Sequence, residues 1–98
     1  MFTEQISRTV LSVLVDETIA LECLVRGSPF PEVDWSQNGT VIVETERTNY
    51  YNHNQLVIIR SVKLTDGGDY LCRASNAIGT IRRTITVKVL LTSNFDEP

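Results

Sequence analysis

The chain has no run of eighteen apolar residues, so it offers no segment of the length a membrane-spanning helix needs, and direct membrane insertion is not expected. Histidine occurs once, at position 53, in the polar stretch Asn52-His53-Asn54. Metal sites need several nitrogen, sulfur or carboxylate ligands at matched spacing. None accompanies His53, which reads as a surface residue, and no metal is expected. No serine stands in a pattern with a histidine and an acid, and no glycine-rich phosphate loop precedes a helix. The acidic residues Glu44, Glu46, Asp66, Asp69, Asp96 and Glu97 show no pairing suited to general acid–base work. No catalytic residue or cofactor is expected, and the chain reads as non-enzymatic. Internal repeats and low-complexity segments are absent as well. Met1 leads straight into Thr3-Glu4-Gln5 with no signal-peptide pattern, and the chain reads as a piece of something longer.

Charge narrows the partners. Nine Lys plus Arg against twelve Asp plus Glu leave a net charge of −3, which favours solubility and opposes binding to a phosphate backbone. The densest cationic stretch is Arg82-Arg83, with Lys88 nearby. Adjacent residues on a strand face opposite ways, so these two do not make a patch, and nucleic acid is not an expected partner.

What is abundant is Val, Ile and Thr, broken by turn signals every eight to twelve residues or so, the spacing of an all-β sandwich. Ninety-eight residues suffice for one core. Strands are expected over Thr9–Leu14, Thr18–Val25, a stretch around Val33 and Trp35, Thr40–Val43, Arg47–Asn52, a stretch containing Leu56 and Ile58, Asp69–Ser75 and Thr80–Leu90. Asn38-Gly39 is a two-residue hairpin signal, because both residues tolerate positive φ. The inward sets are read as Ile19, Leu21 and Cys23; Val33 and Trp35; Leu56, Ile58 and Val62; Tyr70, Cys72 and Ala74; and Ile81, Ile85, Val87 and Val89. Arg83 falls in phase with the last set and is placed near the open end of its strand, its head toward water. Residues 1–8 read as a leading segment or first strand, 9–91 as the domain, and 92–98 as a linker or disordered tail.

Cys23, Trp35 and the run Asp66-Gly67-Gly68-Asp69-Tyr70-Leu71-Cys72 together resemble the immunoglobulin fold. The pattern Gly27-x-Pro29-x-Pro31-x-Val33-x-Trp35, one short strand after the hairpin, and Cys72-x-Ala74-x-Asn76-x-x-Gly79 resemble its I-set type. The resemblance implies an all-β, immunoglobulin-like two-sheet antiparallel β-sandwich with Greek-key connections. It implies a disulfide between Cys23 and Cys72, closing a loop of about 50 residues worth roughly 4 kcal/mol on the chain-entropy account. It places Trp35 against that bridge and Tyr70 at a tyrosine corner. Gly68 suits the tight corner, and Asp66 suits a charge pair at the base of the sandwich, with Arg47 as the candidate partner.

By the same resemblance the expected function is that of a non-catalytic module in a larger extracellular adhesion, receptor or matrix protein, secreted or on a cell surface. It would bind a protein partner, homophilic or not, or space neighbouring domains of its parent chain. The alternative is an intracellular scaffold or mechanical module of a muscle or cytoskeletal filament protein. Asn38-Gly39-Thr40 is an N-glycosylation sequon, although the hairpin alone also accounts for the triplet. Val57 and Ile59, read as outward, and the out-of-phase Leu24 suggest an apolar interaction stripe. Tyr50-Tyr51 puts one ring on each face, and the loops Ser28–Glu32, Asn52–Asn54 and Asn76–Gly79 are further candidate contacts.

Overall fold

In the computed structural model, which describes residues 8–91, the β-branched segments close into two facing sheets. The strands are β1 (Arg8–Leu14), β2 (Ile19–Glu22), β3 (Glu32–Gln37), β4 (Thr40–Val41), β5 (Thr48–Tyr51), β6 (Leu56–Ile59), β7 (Gly68–Ser75) and β8 (Thr80–Leu90), with a single 3₁₀ turn at Leu64–Asp66 before β7. One sheet runs β1-β8-β7-β3-β4 and the other β2-β6-β5. Every pairing is antiparallel except β1 with β8, the first and last described strands, which run parallel from Arg8↔Thr84 to Leu14↔Leu90. Residues 1–7 of the leading segment and the tail 92–98, with Asp96 and Glu97, lie outside the described residues.

The core sits between the sheets. Trp35, Tyr70, Leu21, Val57, Val62, Cys23 and Cys72 are its largest fully enclosed side chains. Their strands supply them at alternate positions, as a pleat must. In β3, Val33 and Trp35 are buried while Glu32 and Asp34 face water. In β2, Ile19 and Leu21 are buried between exposed Ala20 and Glu22.

The phase of β6 is opposite to the sequence reading. Val57 and Ile59 are 0% and 2% exposed, whereas Leu56 and Ile58 are half-buried on the outer face. The cause is the ladder with β2, where Leu21 stands opposite Val57 and Ile19 opposite Ile59. Residues directly opposite share a face, so the phase of β2, set by Cys23, dictates that of β6. The proposed stripe of Leu24, Val57 and Ile59 therefore does not exist. Of the three, Leu24 alone is on the surface.

Three residues at positive φ make the turns that matter for the surface. Asn38 (φ +49°) and Gly39 (φ +89°) form the two-residue connection between β3 and β4. Gly68 opens β7 at φ +130°, and a Cβ there would fall 2.6 Å from Asn38 Oδ1. Gly68 is thus required twice, by its conformation and by the Asn38 carboxamide that lies against it.

Candidate interaction surface

The residues that dominate the sequence pattern are occupied by the fold. Cys23 and Cys72 are joined, S–S 2.01 Å with Cα atoms 6.4 Å apart, and the fully buried Trp35 extends across the core to donate its indole N–H to the Asn54 carbonyl at 2.8 Å. The Tyr70 hydroxyl donates to the Asp66 carbonyl four residues upstream. Burial first, and the Asp66 charge second, push the Tyr70 phenol up to about 12, so it stays a donor.

Asp66 is the partner of Arg47. Nη1 and Nη2 of Arg47 donate to its two carboxylate oxygens at 2.9 and 3.3 Å, and the Lys63 N–H adds a third bond at 2.8 Å. Arg47 Nη1 also caps the carbonyls of Arg60 and Ser61, so the pair ties β5 to the corner before β7. Burial alone would raise the Asp66 carboxyl pKa. The Arg47 and Lys63 hydrogen bonds, together with their positive charges, outweigh it, and the net direction is down. A carboxyl depressed in the folded state contributes its full stability above the unfolded carboxylate value, roughly pH 4, and loses it as pH falls through the lower folded value. Asp66→Asn is therefore expected to cost about 2 kcal/mol at neutral pH. In urea titrations at a series of pH values the gap from wild type should close below about pH 4; a gap that persists in acid would mean the carboxylate charge is not what stabilises the corner.

Arg83 keeps the inward phase expected of it, and its Nη1 reaches the Leu24 carbonyl at 2.7 Å, joining β8 to the chain beyond β2 in the opposite sheet. Gln55 is a buried polar residue that the sequence did not mark. Its Oε1 accepts the Val25 N–H at 2.9 Å and its Nε2 donates to the Asn52 carbonyl at 3.1 Å. A lone glutamine in a loop carries no pattern; its partners, distant in sequence, define its role. The same holds for Gln37, whose Nε2 donates to the carbonyls of Thr65 and Gly67.

With these residues committed to structure, the surface is left as the place for recognition. The three loops singled out in the sequence come together at one end. Phe30 and His53 stack at 5.6 Å between ring centroids with planes tilted 57°, and Asn76 Nδ2 donates to the Pro29 carbonyl at 2.7 Å. An open cleft of about 440 Å³ is lined by Phe30, Glu32, Asp34, His53 and Asn54 among others. Nearby, Tyr50 faces partly inward and donates its hydroxyl to the Ile42 carbonyl at 2.6 Å, while Tyr51 is exposed. The sequon turn is exposed too. Asn38 Oδ1 accepts the Asp69 N–H at 3.0 Å, and the Asn38 N–H donates to the Asp69 carbonyl at 2.9 Å. His53 gains an aromatic neighbour but no co-ligands: among the described residues no three His, Cys, Asp or Glu side chains converge on a metal-sized site.

The outer face of the small sheet carries an apolar stripe one residue out of step with the expected one. Leu56 and Ile58, opposite Glu22 and Ala20 on one side and Tyr51 and Asn49 on the other, form it. Arg60 bonds to Asn49 Oδ1 at 2.8 Å and to the Tyr51 hydroxyl at 3.0 Å on the same sheet.

Comparison with known proteins gives consistent matches. A family model for the immunoglobulin I-set domain covers residues 1–89. Leucine-rich repeats and immunoglobulin-like domains protein 3 of Homo sapiens is 38% identical over 82 residues, 84% of this chain and 7% of that protein. Hemicentin-1 of Mus musculus is 39% identical over 79 residues, 81% of this chain and 1% of that protein. This chain therefore spans a small fraction of both relatives. Among solved structures, the titin M10–obscurin-like 1 Ig complex superposes with a TM-score of 0.77 at 31% identity, covering 88% of this chain and 89% of that one. The N-terminal four Ig domains of Dscam1 isoform 6.9 give 0.76 at 21% identity, covering 85% and 22%, a likeness of fold alone.

Proposed function

This chain belongs to the immunoglobulin I-set domain family, and from that premise we propose that it is a non-catalytic module of a larger extracellular adhesion, receptor or matrix protein. It binds a protein partner through its surface, homophilically or otherwise, or holds neighbouring domains at a set spacing. The observation that carries the reading is the cross-linked core: Cys23, Cys72, Trp35 and Tyr70 are all consumed in stapling and bracing the sandwich. A small domain stapled in this way suits an oxidising compartment. Alkylation of the protein taken from its native source, without prior reduction, is expected to leave Cys23 and Cys72 unlabelled; labelling at both would move the domain to a reducing compartment.

That second outcome would favour the other reading, an intracellular scaffold in a filament protein, which the likeness to a chain of the titin M10–obscurin-like 1 Ig complex supports. On the extracellular reading Asn38 carries an N-linked glycan. Its turn is exposed, and it is the side-chain oxygen Oδ1, not the Nδ2 nitrogen that would carry the sugar, that holds the Asp69 N–H. Expressed through a secretory pathway, the chain should show a glycan mass that Thr40→Val removes, since this change destroys the sequon and keeps the Asn38 turn. An unmodified wild-type mass from the same cells would refute the assignment.

A further inference from the structure

One flank of the sandwich combines negative charge, aromatic surface and the cleft. β4 pairs with β3 through Ser36↔Val41 and Gln37↔Thr40, and the Ile42 N–H reaches the Trp35 carbonyl at 3.1 Å, so the half of β3 that carries Glu32 and Asp34 has no strand paired to it on that edge. The cleft lies along this uncovered half. The Phe30 and His53 rings form one wall, with Phe30 48% exposed. The outward carboxylates of Glu32 and Asp34 form the other. The base is braced, because Asn54 accepts the Trp35 indole N–H and donates its side-chain amide to the Val33 carbonyl at 3.4 Å.

The negative charge continues past the cleft. The Glu44 carboxylate accepts the Tyr50 N–H at 2.9 Å, and the Tyr50 phenol is shifted up by burial first and then by the charges of Asp34 and Glu44. Glu46 follows in the chain. Arg73 lies 3.2 Å from Asp34 and is about half exposed. Arg82, Arg83 and Lys88 belong to β8, separated from β3 by β7 in the sheet. On the segment that pairs with β3, Val41 and Val43 are each 68% exposed, offering apolar footing for an aliphatic stem.

We propose that this flank docks a basic, extended segment of a protein partner, with an arginine or lysine side chain entering the cleft between the Phe30–His53 rings and the carboxylates of Glu32 and Asp34. The site rests on the reading of the chain as a protein-binding module and specifies its partner's chemistry. A cation over an aromatic face is attracted by the ring quadrupole, and the opposite wall supplies the counter-charge. Charge complementarity of this kind sets the choice of partner and the encounter rate more than the affinity. A second copy presenting the same flank would bring acid against acid, and an anionic segment would be repelled.

The test is a ¹H–¹⁵N titration of the oxidised 98-residue chain with a capped peptide of alternating arginine and valine, beside a control of alternating glutamate and valine. Shifts are expected first at the amides of residues 30, 32–34, 53 and 54, from the basic peptide alone and more weakly as salt rises. Phe30→Ala and the double change Glu32→Gln, Asp34→Asn should each weaken binding by about 3-fold or more, with spectral dispersion showing that both variants stay folded. No shifts, or shifts spread equally over Glu17, Glu22 and Asp69 and indifferent to the variants, would overturn the site. Sedimentation of the same samples separates this failure from a broader one. Self-association without peptide binding removes the site and leaves the binding half of the module reading standing; neither activity removes the site and leaves the spacer half.

Discussion

Reduction of the Cys23–Cys72 bond is expected to lower the unfolding free energy by about 4 kcal/mol, from the 49-residue separation it closes. Both sulfurs are buried, at 1% and 0% exposure. Reduced thiols would fill nearly the same space, so the loss is one of chain entropy in the unfolded state and not of packing. Reduction is therefore a cleaner probe than Cys→Ala, which would add a cavity cost. Against a typical domain stability of about 5–15 kcal/mol, the reduced chain should be marginal at physiological temperature. Urea unfolding of the oxidised and reduced forms side by side measures this directly. A reduced form with an undiminished midpoint would show that the staple is dispensable, and would raise the intracellular reading to equal standing.

Val57→Lys is expected to abolish folding. Val57 is fully enclosed, opposite Leu21 in β2 and Tyr50 in β5, and no carboxylate of this core stands ready to receive an ammonium group. An unpartnered buried charge costs several kcal/mol after relaxation, beyond the roughly 4 kcal/mol that marks an exceptional substitution. Ile58→Lys is the matched control. Ile58 sits on the outer face between Asn49 and Ala20, where a lysine can lay its stem along the sheet and hold its head in water; it should cost about 1 kcal/mol or less. Far-UV circular dichroism and urea midpoints of the two variants decide the register of β6. Equal stability for the pair would mean that Leu21 does not face Val57.

The sequence was most informative where residue chemistry is specialised. Asn38-Gly39 lies where positive φ is required, and both residues adopt it. Asp66 and Arg47 meet as the pattern around the corner implied. β8 runs over Thr80–Leu90, the span its alternation indicated. The sequence was least informative at Leu56-Val57-Ile58-Ile59, four consecutive apolar residues with no polar position to mark the outer face. Either phase satisfies such a run, and the choice passes to the neighbouring strand. Leu24, read as out of phase with the core set, is exposed as that reading implied: it lies beyond the end of β2, where the chain still alternates but no ladder partner covers it.

By itself, then, the sequence determined the fold family, the cross-link with its packed indole, the corner and the hairpin, because each demands particular residue types at particular spacings. Tertiary structure alone decided which face of β6 is core, which polar side chains brace the loops, and how Phe30, His53, Glu32 and Asp34 come to share one cleft. Those outcomes depend on pairing between segments far apart in the chain, where strand register and the crossing of the two sheets set the neighbours, and no local pattern records either.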